Sequence, residues 1–114
     1  MIRGTETDVV VVMTTLPDDN TFESFGRTLV NEQLAACVVV SAPSHSVYTW
    51  QSKVETTTER QVTIKTRASR VAELKKRLVD LHPYDVPEFL VLQVSCASQA
   101  YVDWVRASTT PPQK

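Results

Sequence analysis

Glycine is nearly missing from this chain, with two in 114 residues. That excludes a phosphate-binding P-loop and a dinucleotide fingerprint, which need closely spaced glycines so that the backbone can approach a phosphate. Cysteine is equally scarce. Cys37 and Cys96 stand far apart and no C-x-x-C is present, so a zinc ribbon or an iron–sulfur centre lacks its ligand spacing. No apolar run approaches the roughly 18 residues that span a bilayer, and no membrane partner is expected. Neither sign of charge dominates: 12 Lys and Arg stand against 13 Asp and Glu. A nucleic-acid partner would demand a basic footprint, so none is expected.

The length fits one domain over 1–114, with a core of about residues 8–108. The start, "MIRGTETDVVVVMTT", has one Arg and then Asp8 before a short apolar stretch with no small-residue cleavage pattern. It reads as a first strand and not as a signal peptide, and a cytoplasmic location is expected.

Hydrophobic periodicity sets the order of elements. "DVVVVMTT" is a β-branched run with the character of a strand covered on both faces. Pro17, Asp18, Asp19 and Asn20 supply helix-start chemistry for a helix over 18–33, with Phe22, Phe25, Leu29 and Val30 in its stripe. "LAACVVVSA" returns to strand character, and Pro43 is expected to break it. "HSVYTWQSKVE" and "TTTERQVTIKT" alternate with period two and predict a long hairpin turning near residues 51–54. Ser69 is the expected cap of a second helix with Val71, Leu74, Leu78 and Leu81 buried. Arg70 falls on its solvated side, and Glu73 and Arg77 form an i,i+4 pair. Pro83 ends that helix. "EFLVLQV" predicts a last long strand, and "SQAYVDWVRAS" a short third helix capped by Ser98 with Tyr101, Trp104, Val105 and Ser108 on one side. The order β-α-β-β-α-β plus a helix is the ferredoxin-like pattern: an α+β sandwich of one antiparallel four-stranded sheet with two helices on one face.

Five short motifs in this order carry a resemblance: "LAACV" at 34–38, "SVYTWQSKVE" at 46–55, "IKT" at 64–66, "HPYDVPE" at 82–88 and "YVDWV" at 101–105. Together they resemble the CutA family of divalent cation tolerance proteins. The resemblance implies a ferredoxin-like protomer in a tight homotrimer, an association with copper and other divalent cations, and no settled enzymatic activity. It also implies a likeness to the PII signalling proteins in protomer and assembly. The chain departs from the family pattern at Ser52, where relatives usually have Gly, and at Val39, where many have Asn. Thr14 and Leu81 stand where some members have Cys and His.

The candidate site residues follow from these motifs. His82, Tyr84 and Glu88 crowd the proline-stiffened "HPYDVPE" turn, with His82 a candidate ligand for a divalent metal such as Cu or Zn. The plainer reading makes His82 a favourable group at a helix C-terminus. Cys37 is either a buried small hydrophobe or a soft Cu(I) ligand if its thiolate reaches a cleft. Glu59 and Lys65 have even spacing on one strand, hence one face, and would give an acceptor and a donor to a small ligand in a subunit cleft. Tyr48 and Trp50 share a side of the hairpin and are expected at the trimer interface. No enzyme is expected: "TTLPDDN" after the first strand is acidic where an acylphosphatase would need a glycine-rich anion loop. A trimer that binds cations or a small ligand, a PII-like signalling protein and a purely structural scaffold all remain open at this point.

Overall fold

The computed structural model of the chain describes residues 7–111. The elements run β1 (Val9–Pro17), α1 (Thr21–Asn31), β2 (Cys37–Trp50), β3 (Lys53–Arg67), α2 (Val71–Leu81), β4 (Leu90–Gln93) and α3 (Gln99–Ser108). One sheet holds all four strands in the order β2-β3-β1-β4, with every neighbouring pair antiparallel. The ferredoxin-like order read from the sequence is therefore the observed one.

Alternation along the strands sends Val10, Val12 and Leu16 of β1 and Val62 and Ile64 of β3 to one face. There they pack on Phe25 and Leu29 of α1 and Leu74 and Leu78 of α2. Thr14 lies on this same buried face, and Leu81 packs at its edge. A smaller cluster of Val9, Ala36, Val102 and Val105 forms where α3 covers one end of the opposite face. The rest of that face is open. Register places Leu90 and Leu92 of β4 opposite Met13 and Val11 of β1, and Thr63 and Lys65 of β3 opposite the same two residues on the other side.

Several local expectations are corrected. Helix α1 is shorter than 18–33. It stops because Gln33 adopts a left-handed φ of 59°. The Gln33 N–H then donates to the Val30 carbonyl and the Leu34 N–H to the Leu29 carbonyl, which satisfies two orphan carbonyls of the last turn. Pro43 does not break β2. The register passes from Val40–Val62 to Pro43–Arg60, a bulge on an edge strand, where a proline costs no ladder bond. The bulge is fastened: the Gln61 N–H donates to Ser41 Oγ at 2.9 Å and Arg60 Nη1 to the Ser41 carbonyl at 3.0 Å. Ser69 is not a cap, because a 3-10 turn over Ala68–Arg70 leads into α2. Arg70 is buried, with its Nε donating to the Gln33 carbonyl. Arg77 pairs with Glu32 across the helices and not with Glu73. The last strand is only four residues long.

The hairpin turns on two residues, Gln51 and Ser52, between the Trp50–Lys53 pair. Both have positive φ, 52° and 66°. This is the geometry of a type I′ turn, which favours Asn and Gly because left-handed backbone costs an L side chain about 1 kcal/mol or more. Ser52→Gly is therefore expected to stabilise the protein by about 1 kcal/mol. Urea unfolding of the two proteins measures this as a shift of the midpoint at constant slope.

Candidate functional site: a cleft beside the long hairpin

Strand β4 pairs with β1 only from Val10 to Met13, although β1 continues to Pro17. The Val9 carbonyl points to the β4 side, where it accepts from the Val94 N–H. Two-residue alternation turns the Thr15 carbonyl the same way. Beyond the end of β4 the Thr15 carbonyl has no strand partner, and His82 Nε2 meets it at 2.6 Å. The Tyr84 N–H donates to the other ring nitrogen, Nδ1, at 3.2 Å. This network assigns the neutral tautomer with hydrogen on Nε2. His82 is 8% exposed and its ring stands edge-on to Phe25. His82 thus stands in for a missing strand residue and fixes the start of the 82–89 segment.

That segment carries Tyr84 round to the open face of the sheet. The Tyr84 hydroxyl donates to Glu59 Oε2 at 3.0 Å, and Ser46 Oγ donates to Glu59 Oε1 at 2.7 Å. Glu59 is 8% exposed, and both its partners are neutral. Between this cluster and the free end of the hairpin lies a cleft of about 800 Å³. Tyr48 and Trp50 line its hairpin side, Asp85 and Glu88 its loop side, with Glu59 and Tyr84 between them.

Burial and the bond to the Glu59 carboxylate push the Tyr84 phenol up to about 12. Folding favours the protonated phenol, so its stabilising contribution is complete below the ordinary tyrosine range near 10. It is lost as pH rises from there through about 12. Tyr84→Phe is expected to flatten this alkaline fall in stability. Unfolding midpoints of the two proteins across that range test it, and parallel curves would exclude Tyr84 as the titrating group.

The sequence candidates do not all meet. Glu59, Tyr84 and Glu88 line one cleft with Tyr48 and Trp50. Lys65 shares the Glu59 face but lies six residues along the strand, about 20 Å away. Its ammonium faces the Tyr101 ring. Cys37 sits opposite Lys65, half-buried, and is equally remote from the cleft. Asp85 joins Glu59 and Glu88 as the sequence allowed for a cleft beside the turn, and Ser46 is the residue that sequence reasoning missed. Ser46 lies in the alternating hairpin pattern on the side of Tyr48, and that was its one signal.

The resemblance implies a divalent metal, and these side chains do not form a site for one within the protomer. Among the described residues no group of three or more His, Cys, Asp and Glu is placed to hold an ion. Both nitrogens of His82 are engaged, and Cys37 is elsewhere. A tight Cu or Zn site wants three or four nitrogen or sulfur donors, so one protomer does not fit such an ion.

The family model described as "CutA1 divalent ion tolerance protein" matches residues 10–108. The chain belongs to this family. The divalent-cation tolerance protein CutA of Pectobacterium atrosepticum is 40% identical over 101 residues, 89% of this chain and 92% of that protein. The chloroplastic protein CutA of Arabidopsis thaliana is 36% identical over 88% of this chain and 55% of its own length. The crystal structure of CutA from Xylella fastidiosa superposes with a TM-score of 0.88 at 41% identity, covering 91% of this chain and all of that one. CutA membership thus accounts for the ferredoxin-like order and for the motifs that build the cleft. No helix among the described residues is long and apolar enough to cross a membrane.

Proposed function

We propose that this CutA-family chain acts in divalent-cation tolerance as a homotrimer. Each cleft beside the hairpin, completed by a neighbouring subunit, binds a cation or a small polar ligand, and the role is binding without catalysis. The observation that carries this reading is Glu59. Its carboxylate is buried at the back of an open cleft and is held by two neutral hydroxyls. Among the described residues the cleft lining has no Lys, Arg or His. Burying a carboxylate away from any positive charge costs free energy that a bound cation would offset. Copper and zinc are the ions to test first, and the subunit boundary is where added donors would come from. Free Cys37 and Cys96 suit a reducing compartment such as the cytoplasm.

The open apolar face of the sheet would equally suit a trimer that serves as a scaffold. Calorimetric titration at neutral pH with Cu(II) and Zn(II), on wild type and Glu59→Gln, separates the two. Saturable heat that the substitution weakens at least about tenfold, roughly 1.4 kcal/mol, supports the binding role. Identical titrations of the two proteins would leave the scaffold.

A further inference from the structure

The lining of the cleft specifies more than a positive charge. Three aromatic rings, Tyr48, Trp50 and Tyr84, share it with three carboxylates, Glu59, Asp85 and Glu88. We propose, resting on the cleft-binding reading above, that the ligand of this site is an organic ammonium ion, with its charged nitrogen at Glu59 and its alkyl body against the rings.

Three observations separate this ligand from a bare metal ion. The first is donor chemistry. The described cleft residues offer oxygen acceptors only, and His82 spends both nitrogens on Thr15 and Tyr84. A transition metal prefers nitrogen and sulfur. An ammonium ion requires only hydrogen-bond acceptors, and each Glu59 oxygen keeps acceptor capacity after taking one hydroxyl.

The second is surface type. In the single protomer Tyr48 and Trp50 are 44% and 43% exposed and line the cleft, so a ligand would share their ring faces with the neighbouring subunit that completes it. A hydrated metal ion gains little from such faces. An alkylammonium ion gains twice, from burial of its methylenes and from the attraction of its charge to the negative face of an aromatic ring.

The third is size. In the protomer the open cleft measures about 800 Å³, which leaves room for a small organic molecule beside a neighbouring subunit. Tyr84 links the parts, because one side chain supplies both a ring to the cleft and the bond that aims Glu59.

The test uses the full-length protein in its native assembly, with a Trp104→Phe background so that fluorescence reports on Trp50. Putrescine is the probe, with 1,4-butanediol as its neutral isostere, glutarate as an anion of similar length, and Zn(II) and Cu(II) as the metal arm. Putrescine is expected to bind saturably and shift Trp50 emission, with the diol and glutarate at least about tenfold weaker. Glu59→Gln should weaken putrescine at least about tenfold, and in calorimetric titration, which needs no tryptophan, Trp50→Phe should retain more of the binding than Trp50→Leu. Sedimentation and circular dichroism check that each variant keeps its assembly and fold.

Metal binding that depends on Glu59, with no response to putrescine, would overturn this inference and leave the proposed function standing. Equal binding of putrescine and diol would overturn the ammonium assignment. Silence from every probe on the intact assembly would overturn both the inference and the reading beneath it.

Discussion

Leu92→Asp is expected to break the assembly without unfolding the protomer. Leu90 and Leu92 are 52% and 50% exposed in the isolated chain. They belong to the open face with the half-buried Val11 and Met13 and the exposed Val39. Tyr101 and Trp104 of α3 add two further exposed aromatics, with ring centroids 5.5 Å apart and planes tilted by 44°. A face of this kind marks an interaction surface. In a homotrimer it would be covered by the other copies, so an aspartate at its centre would become a buried, unpaired charge. That costs about 3 kcal/mol or more at each interface, over a hundredfold in association. Wild type should sediment as three chains of 12.8 kDa, and the variant as one. Circular dichroism of the variant should stay native-like, because Leu92 is outside both core clusters. A variant that still sediments like wild type would move the interface off this face.

Much of this arrangement was legible in the residues, and the parts that were not have physical causes. Element order followed from periodicity, since burial of one strand face and one helix stripe imposes periods of 2 and 3.6. The "HPYDVPE" turn was singled out correctly as a place where polar groups and stiffeners meet. What failed was the assignment of detail to one-dimensional patterns. Glu73 and Arg77 have ideal helical spacing, yet Glu32, just past the end of α1, offers Arg77 a two-oxygen contact and wins it. Arg70 looked like part of a charged face, but a 3-10 turn rotates it inward to the Gln33 carbonyl. Even spacing placed Lys65 on the Glu59 face and was silent about the distance along the strand. Pro43 reads as a breaker until the bulge and the sheet edge give it a place. His82 carries the same lesson for the site: its type suggests a ligand, and its surroundings use it as a double hydrogen-bonding post.

That role makes His82→Ala the most damaging single change expected around the cleft. The substitution removes two hydrogen bonds at once, leaving the Tyr84 N–H without a protein partner and the Thr15 carbonyl with only a long 3.5 Å bond from Thr14 Oγ1. A net bond contributes about 1 kcal/mol, and a buried polar group left unsatisfied costs about 1–3 kcal/mol. Loss of the ring also removes its edge contact with Phe25 and its packing on Tyr84 at 4.8 Å. A total near 3 kcal/mol follows, within the upper part of the range for single substitutions. His82→Gln should recover a part of this, because its amide can donate to the Thr15 carbonyl while the Tyr84 N–H stays unpaired. The order of stability by urea unfolding is then wild type, His82→Gln, His82→Ala. The same substitution should loosen the path of the 82–89 segment and with it the Tyr84–Glu59 bond, so the elevated phenol of Tyr84 should fall toward the ordinary tyrosine range in His82→Ala. A spectroscopic titration of phenolate absorbance reads this directly. If the alanine variant unfolds with wild type and its tyrosines titrate unchanged, then the 82–89 segment is held by something other than His82, and the cleft geometry does not depend on it.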